Sequence, residues 1–358
     1  MNANSRSAIA QVRDEWLDLT LGEAGIVGDD TESDEDVVLR LPGGDWPTRV
    51  EHLAEIERLW PGAKVAVRAM NEDELLALRA TLRSRMQDET GSPRFVARTS
   101  RTRVLGISSG KGGVGKSSVS VNLALALAAA GRSVGILDAD VYGFSVPRML
   151  GAPIDPIVLG DTVIPTLVHG VRCVSMGYFV EDDQPVIWRG PMLHKALSQL
   201  VTEAAWGEPD FLVVDMPPGT GDVALTLSEI LPRSEIFVVT TPQPAAERVA
   251  QRSAYAARKL KLPVRGVIEN MSYFRADDGR RYEIFGSGGG EQLASQLGVA
   301  LLGQIPLDVA LREGGDSGRP VVSERPDSEA ARAFATLAEA VIAQGPSRVY
   351  RSELTVNS

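Results

Sequence analysis

Residues 110–117 read Gly110-Lys111-Gly112-Gly113-Val114-Gly115-Lys116-Ser117, and this stretch decides the fold. It fits the phosphate-loop spacing G-x-x-x-x-G-K-[ST], with a second lysine directly after the first glycine. The run Val104-Leu105-Gly106-Ile107-Ser108-Ser109 before it reads as a buried strand. Ser118 to Ala130 after it, rich in Ala, Leu and Val and stopped by Gly131, reads as a helix. A strand, a glycine-rich turn and a helix N-terminus together aim several backbone N–H groups at one spot, where the helix dipole also favours negative charge. Gly112, Gly113 and Gly115 lack Cβ atoms, so the backbone can close around a chain of phosphates. Lys116 is expected to reach the β- and γ-phosphates and the Ser117 hydroxyl to bind Mg²⁺. Gly110, Lys111, Val114 and Ser118 complete the expected cradle. The pattern implies a nucleoside triphosphate.

The chain has 358 residues, of which 44% are hydrophobic, enough for about two domains and at least one large core. A formal charge of −10 argues against a protein that coats nucleic acid or an anionic membrane, though not against a local basic patch. No apolar run approaches the ~20 residues that span a bilayer. No apolar stretch follows Met1-Asn2-Ala3-Asn4-Ser5-Arg6 as a secretory signal requires. The single cysteine, Cys173, has no internal disulfide partner, and a cytoplasmic protein is the simplest expectation. It sits in the alternating run Val171 to Met176, where a free cysteine is expected as a small buried hydrophobe.

Residues 1–90 read as a small α/β module. Within it the apolar spacing predicts helices over Arg6 to Glu23 and Pro47 to Trp60, and one opened by Asn71. Strands are predicted over Asp36 to Leu41 and Lys64 to Arg68. The acidic run from Asp29 to Asp36 reads as a solvated turn. Residues 91–103 form a linker in which Arg94, Arg98, Arg101 and Arg103 are expected to be solvated. Residues 104–345 alternate strand and helix as a doubly wound, mainly parallel α/β sheet does. Its further strands are Ser133 to Leu137, Phe211 to Val214, Ile236 to Thr240, Val264 to Ile268 and Ala300 to Ile305. Helices are expected over Pro191 to Trp206, Ala245 to Leu260, Gly290 to Leu297 and Ser328 to Ala343. Residues 157–188 suggest an added hairpin at the sheet edge, and 346–358 a C-terminal tail.

In such a sheet, ligands sit beyond the carboxyl ends of the strands. Asp215, after Phe211 to Val214, suits Mg²⁺ binding, often through water. Asp138 and Asp140 follow Gly135 to Leu137. Asp140 is the expected residue for orienting the attacking water, with Asp138 either supporting the metal or capping the following turn. Asn270 either reads adenine with its amide or caps a turn. Lys116 already neutralises the nucleotide of its own loop, so Lys111 has a natural target in a facing subunit's phosphates.

These residues together resemble the deviant phosphate-loop ATPases, in which K-G-G-x-G-K-[ST] marks enzymes that sandwich two nucleotides in a homodimer. Within that group the chain is similar to the Mrp-type family, also called ApbC- or Nbp-type, of iron–sulfur cluster carriers. The words that carry the resemblance are Leu137-Asp138-Ala139-Asp140-Val141-Tyr142-Gly143, Trp188-Arg189-Gly190-Pro191-Met192 and Asp215-Met216-Pro217-Pro218-Gly219-Thr220-Gly221-Asp222. Glu269-Asn270-Met271-Ser272, Ile284-Phe285-Gly286 and Ile305-Pro306-Leu307-Asp308 complete the set. The resemblance covers residues 103 to about 345. It implies Mg²⁺ and ATP as ligands, hydrolysis to ADP and phosphate, a homodimer in which Lys111 reaches across, an iron–sulfur cluster as cargo, and apo-protein clients. The chain departs from the family at one place. Carriers set C-x-x-C shortly after Asn-Met-Ser, whereas Tyr273 to Arg281 holds no sulfur here, and two chains would pool only two copies of Cys173. The cysteine count therefore does not support a cluster held by four thiolates.

A second class of function is a positioning switch akin to chromosome-partitioning or division-site ATPases, acting through DNA or an adaptor. Arg248, Arg252, Arg258, Lys259 and Lys261 on one predicted helix offer a modest cationic set for it. The short tail Ser347 to Ser358 lacks the basic amphipathic pattern of a membrane anchor. A regulatory ATP sensor with negligible turnover is a third possibility, separable by phosphate release. Lys116→Ala is expected to abolish nucleotide binding in a calorimetric titration; tight ATP binding by the variant would overturn the assigned loop. Lys111→Ala is expected to spare binding but weaken hydrolysis and ATP-dependent dimerisation, and an unaltered rate and mass would refute the cross-subunit role.

Overall fold

The computed structural model describes residues 2–28, 36–88, 91–97, 99–141, 143–153, 156–179, 190–219 and 222–347. The apolar runs become strands of one sheet: β1 (Arg103–Ser109), β2 (Val134–Asp138), β3 (Thr166–Val168), β4 (Val171–Ser175), β5 (Phe211–Asp215), β6 (Glu235–Thr240), β7 (Val264–Glu269) and β8 (Ala300–Gln304). Their order is β8-β7-β6-β1-β5-β2-β4-β3, and every neighbouring pair from β8 across to β4 is parallel. Parallel strands need crossovers that cover the faces of the sheet. Strands β1, β2, β5 and β6 are accordingly buried along their whole length, with no polar alternation.

The helices of this unit are α1 (Lys116–Ala129), α2 (Val146–Leu150), α3 (Gly190–Thr202), α4 (Asp222–Ile230), α5 (Pro244–Lys259), α6 (Gly289–Leu297), α7 (Val309–Ser317), α8 (Val321–Glu324) and α9 (Glu329–Gln344). Helix α1 packs against both α9 and the central strands, so its side chains are buried nearly all round. Helices α5 and α6 pack on each other over β6 and β7. Ser328 caps α9 as its position suggests, accepting from Ala331 N at 3.1 Å. Helix α7 was not foreseen, because its interior Gly314-Gly315 reads as a breaker. Asp308 starts it by accepting from Ala310 N at 2.7 Å.

Arg103 departs from the linker expectation. It opens β1, lies buried, and donates to Glu235 at 2.7 Å and to the Val341 carbonyl at 2.6 Å. Removing one partner of such a buried pair typically costs about 3–5 kcal/mol, because the other charge is left without compensation. Arg94 stays exposed as expected, with its Nε donating to Gln87 O.

A separate compact unit comprises Met1–Ala97 together with Pro156–Leu167 and Thr202–Glu208. Its strands Asp36–Leu41 and Lys64–Ala69 pair in parallel, and its helices span Arg49–Leu59 and Glu72–Met86. Asn71 and Glu74 form a reciprocal capping box at the start of the latter. Strands β3 and β4 lie side by side at the sheet edge, where an added hairpin was expected, whereas the hairpin Ile157–Leu159/Thr162–Ile164 belongs elsewhere: its Leu159 and Ile164 join the core of this unit, with Ile9, Leu39, Ile56 and Leu78. The helix expected to continue to Trp206 ends at Thr202, and Ala205 joins the same core.

The helix expected over Arg6 to Glu23 is also corrected. Helix Asn2–Ala10 is followed by an antiparallel pair, Arg13–Asp14 with Leu19–Thr20, turning through Asp18 at φ 58°. Asp14 is the physical reason. Its fully buried carboxylate accepts from Leu17 N (2.9 Å), Trp46 Nε1 (2.8 Å) and Thr48 Oγ1 (2.7 Å), and bonds His52 Nε2 (2.8 Å). A continuous helix would pull that acceptor away from its donors.

Several motif residues lie outside the described residues: the acidic run 29–35, Arg98, Tyr142, Trp188, Arg189, Thr220, Gly221 and the tail 348–358.

Burial alone would push the Asp14 carboxyl up, but the bonds from His52, Trp46, Leu17 and Thr48 outweigh it and hold the group below its ordinary value of 3.8. A carboxyl depressed in the folded state contributes stability above its unfolded pKa and loses it as pH falls through the folded value. Urea unfolding followed by tryptophan fluorescence is therefore expected to show a midpoint that drops below pH ~4. Asp14→Asn should lower stability at pH 7 by about 1–3 kcal/mol and shrink the acid drop. An unchanged midpoint in the variant would contradict the role given to this carboxylate.

Candidate functional site

The loop 110–115 joins β1 to α1. Two of its glycines are forced by contacts. A Cβ on Gly110 would lie 2.2 Å from the Val249 carbonyl carbon and 2.3 Å from Ala250 N, because the α5 backbone rests against the loop. Gly115 is the N-cap of α1 in the left-handed region at φ 77°, and a Cβ there would meet Asn270 Nδ2 at 2.2 Å. A glycine cap contributes no side-chain acceptor, so no side-chain hydrogen bond covers the first N–H groups of α1. Ser109, residues 111–113 and 115–118, and Asp140, Met149 and Pro218 surround a pocket of about 190 Å³.

Behind the pocket stands the carboxylate of Asp215 at the end of β5, fully buried. Lys116 Nζ is 2.7 Å from its Oδ2 and 3.7 Å from Asp140 Oδ2. The Ser117 hydroxyl donates to the same Asp215 oxygen at 2.7 Å. Ser120, which sequence reasoning passed over, donates to Asp215 Oδ1 at 2.6 Å. Its signal was helical spacing: three residues after Ser117 and four after Lys116, it shares their face of α1.

Strand register sets Asp138 beside Asp215 on one side and Ser175 on the other. Asp138 Oδ2 accepts from Ser145 N at 2.9 Å, Val146 N at 3.0 Å and Ser175 Oγ at 3.3 Å, and Oδ1 from Asp140 N at 3.2 Å. It therefore ties the turn that carries Asp140 to the start of α2. Burial, and next the charge of Asp215, push the Asp138 carboxyl up to about 7 against those hydrogen bonds. Asn270, after β7, donates Nδ2 to the Val114 carbonyl at 2.9 Å. Its Oδ1 is buried with no partner among the described residues. Lys111 lines the pocket and has no ion pair among the described residues.

The structure thus gathers Lys116, Ser117, Asp140 and Asp215, sets Asp138 behind them, and brings Asn270 against the loop. Cys173 is remote from solvent on β4, and burial, with the nearby Asp138 charge, pushes its thiol far above the ordinary range. Where C-x-x-C was expected, Phe274–Arg275 and Arg281–Tyr282 form a hairpin. Arg275 pairs with Glu329 at 2.8 Å, Tyr273 Oη donates to Glu329 at 2.9 Å, and the Arg281 guanidinium lies 3.9 Å from the Tyr273 ring centre. Among the described residues, no group of three or more His, Cys, Asp and Glu side chains is placed to hold a metal, and no helix is long and apolar enough to cross a membrane.

The ParA family model described as "NUBPL iron-transfer P-loop NTPase" matches residues 100–342. The chain is 39% identical over 358 residues to the iron-sulfur cluster carrier protein of Mycobacterium tuberculosis H37Rv, covering 95% of this chain and 92% of that protein. It is 49% identical over 246 residues to the protein of the same name from Escherichia coli K12, covering 67% and 66%. Among solved structures, the Archaeoglobus fulgidus nucleotide-binding protein in complex with ADP matches with a TM-score of 0.56 at 31% identity, over 65% of this chain and 93% of that one. The septum site-determining protein MinD of Pyrococcus horikoshii, complexed with Mg-ADP, matches with a TM-score of 0.53 at 27% identity, over 67% and 96%. With a phosphate loop, a parallel sheet and these relatives in agreement, the chain belongs to the iron–sulfur cluster carrier family of P-loop NTPases.

Proposed function

We propose that the chain is a homodimeric Mg²⁺-dependent ATPase that serves iron–sulfur protein assembly without ligating the cluster through its own cysteines. The observation that carries the ATPase reading is the set at the loop mouth. A hydroxyl and a carboxylate oxygen lie 2.7 Å apart, with a buried ammonium beside them, at a helix N-terminus that no side chain caps. This donor set fits a triphosphate with its cation: the amides and Lys116 answer the phosphate oxygens, while Ser117 and Asp215 are hard oxygen donors. Bound Mg²⁺ would neutralise charge on the β- and γ-oxygens.

The chain's own residues divide the remaining work. Lys116 exchanges Asp215 for the phosphates when ATP enters. Asp140, 3.7 Å from that ammonium, orients the attacking water. Asp138 holds the turn beneath Asp140 and leaves direct contact with the cation to Ser117 and Asp215. Asn270 holds the loop through Val114 and keeps Oδ1 for the amino group of adenine. Lys111, without an ion pair of its own among the described residues, reaches the phosphates of the facing subunit.

The cargo reading rests on donor chemistry. One buried cysteine per chain, with its thiol disfavoured from ionising, supplies neither the number nor the state of ligand that a [4Fe–4S] cluster needs. The hairpin at the C-x-x-C position offers arginine and tyrosine instead. One observation favours a second reading, a positioning switch acting through DNA: Arg248, Arg252, Lys259 and Lys261 are exposed along and just beyond α5.

With ATP and Mg²⁺ the protein is expected to release phosphate, and a non-hydrolysable analogue should double its mass in light scattering. Anaerobic reconstitution with iron and sulfide should leave no stoichiometric cluster by absorption and metal counting. A cluster bound one per dimer would overturn the cargo reading while sparing the ATPase. DNA binding that weakens steeply with salt would favour the second reading.

A further inference from the structure

We infer that Ser120 is a positioning residue of this site: its hydroxyl fixes the Asp215 carboxylate when the other partners of that carboxylate turn to the nucleotide. The inference rests on the nucleotide reading above.

Asp215 shows an unequal distribution of partners. Its Oδ2 is shared by Lys116 Nζ and Ser117 Oγ, each at 2.7 Å. These are the two side chains whose work lies with phosphate and cation. Oδ1 has a different partner, the Ser120 hydroxyl at 2.6 Å, within the short range of charge-assisted O–H···O⁻ bonds. Ser120 is fully buried and one turn inward from the loop, so it has no access to the ligand. Its hydroxyl also lies 3.1 Å from the Lys116 carbonyl, the ordinary back-bond of a mid-helix serine. A hydroxyl has one proton, and the shorter contact to a formal charge takes it.

The consequence follows from counting donors. Once ATP draws Lys116 and Ser117 away, Oδ2 loses two partners together, and a carboxylate with no remaining donor is free to rotate about its Cβ–Cγ bond. Ser120 is the donor that Oδ1 retains among the described residues. It holds the plane of the group and keeps Oδ2 presented to the loop. A helix-forming alanine at this position would pack equally well in α1. It would leave a fully buried carboxylate oxygen without its donor.

The test uses the full-length chain with Mn²⁺ as a paramagnetic probe and a non-hydrolysable ATP analogue. Ser120→Ala is expected to weaken Mn²⁺ binding to the nucleotide complex by about tenfold, the equivalent of one charge-assisted hydrogen bond. Analogue affinity in EDTA should stay at the wild-type value. Ser120→Thr, which keeps the hydroxyl, should retain Mn²⁺. Wild-type Mn²⁺ affinity in the alanine variant would overturn the inference. So would an equal loss of metal-free nucleotide affinity, which would make Ser120 a packing residue. If the wild-type chain itself bound neither analogue nor Mn²⁺, the nucleotide reading would fall first.

Discussion

The buried carboxylate of Asp215 is the group around which the rest of this P-loop unit is organised. A charge at zero exposure survives only when it is paired and hydrogen-bonded, and here Lys116, Ser117 and Ser120 from a single helix all converge on it. Those partners reach it only if α1 starts at Lys116, which in turn requires the left-handed Gly115 at its cap. The strand carrying Asp215 must sit next to β1, and it does, with Asp215 opposite Ile107 in register. Loop, helix start and strand order are thus three expressions of one electrostatic requirement.

Much of this was legible in the residues because the chemistry is local. The phosphate loop, the strand ends carrying Asp138, Asp215 and Glu269, and the two-sided burial of the sheet each leave a short contiguous pattern. What was not legible depends on partners far away in sequence. Asp14 stops a helix because Trp46, Thr48 and His52 donate to it from more than 30 residues away. Arg103 looked like one of several linker arginines until Glu235, 132 residues on, was placed beside it. Ser120 was hidden in an alanine-rich helix whose composition already accounted for it. Asn270 lay between two readings, and only the structure shows its amide holding Val114.

The departure at the C-x-x-C position is more than a missing motif. A surface that would carry soft, ionisable sulfur in a carrier is held here by an ion pair, a phenol and a stacked guanidinium, all fixed to the first turn of α9 through Glu329. The hydrogen bond from Arg275 draws the Glu329 carboxyl below its ordinary value, and the same bond to Glu329 raises the Arg275 guanidinium above its own. This hairpin is organised for hard, charged contacts, in line with the proposal above that the chain does not ligate a cluster through its own cysteines.

The contact between Gly110 and the Val249–Ala250 peptide has a mechanical meaning. Two backbones meet there with no side chain between them, so neither rotamer change nor a flexible stem is available as a cushion. A side chain larger than hydrogen at Gly110 would have to push α5 or the loop out of place. The outer face of the same helix carries the exposed arginines. The phosphate loop and the helix that bears those arginines therefore meet backbone to backbone at a single glycine.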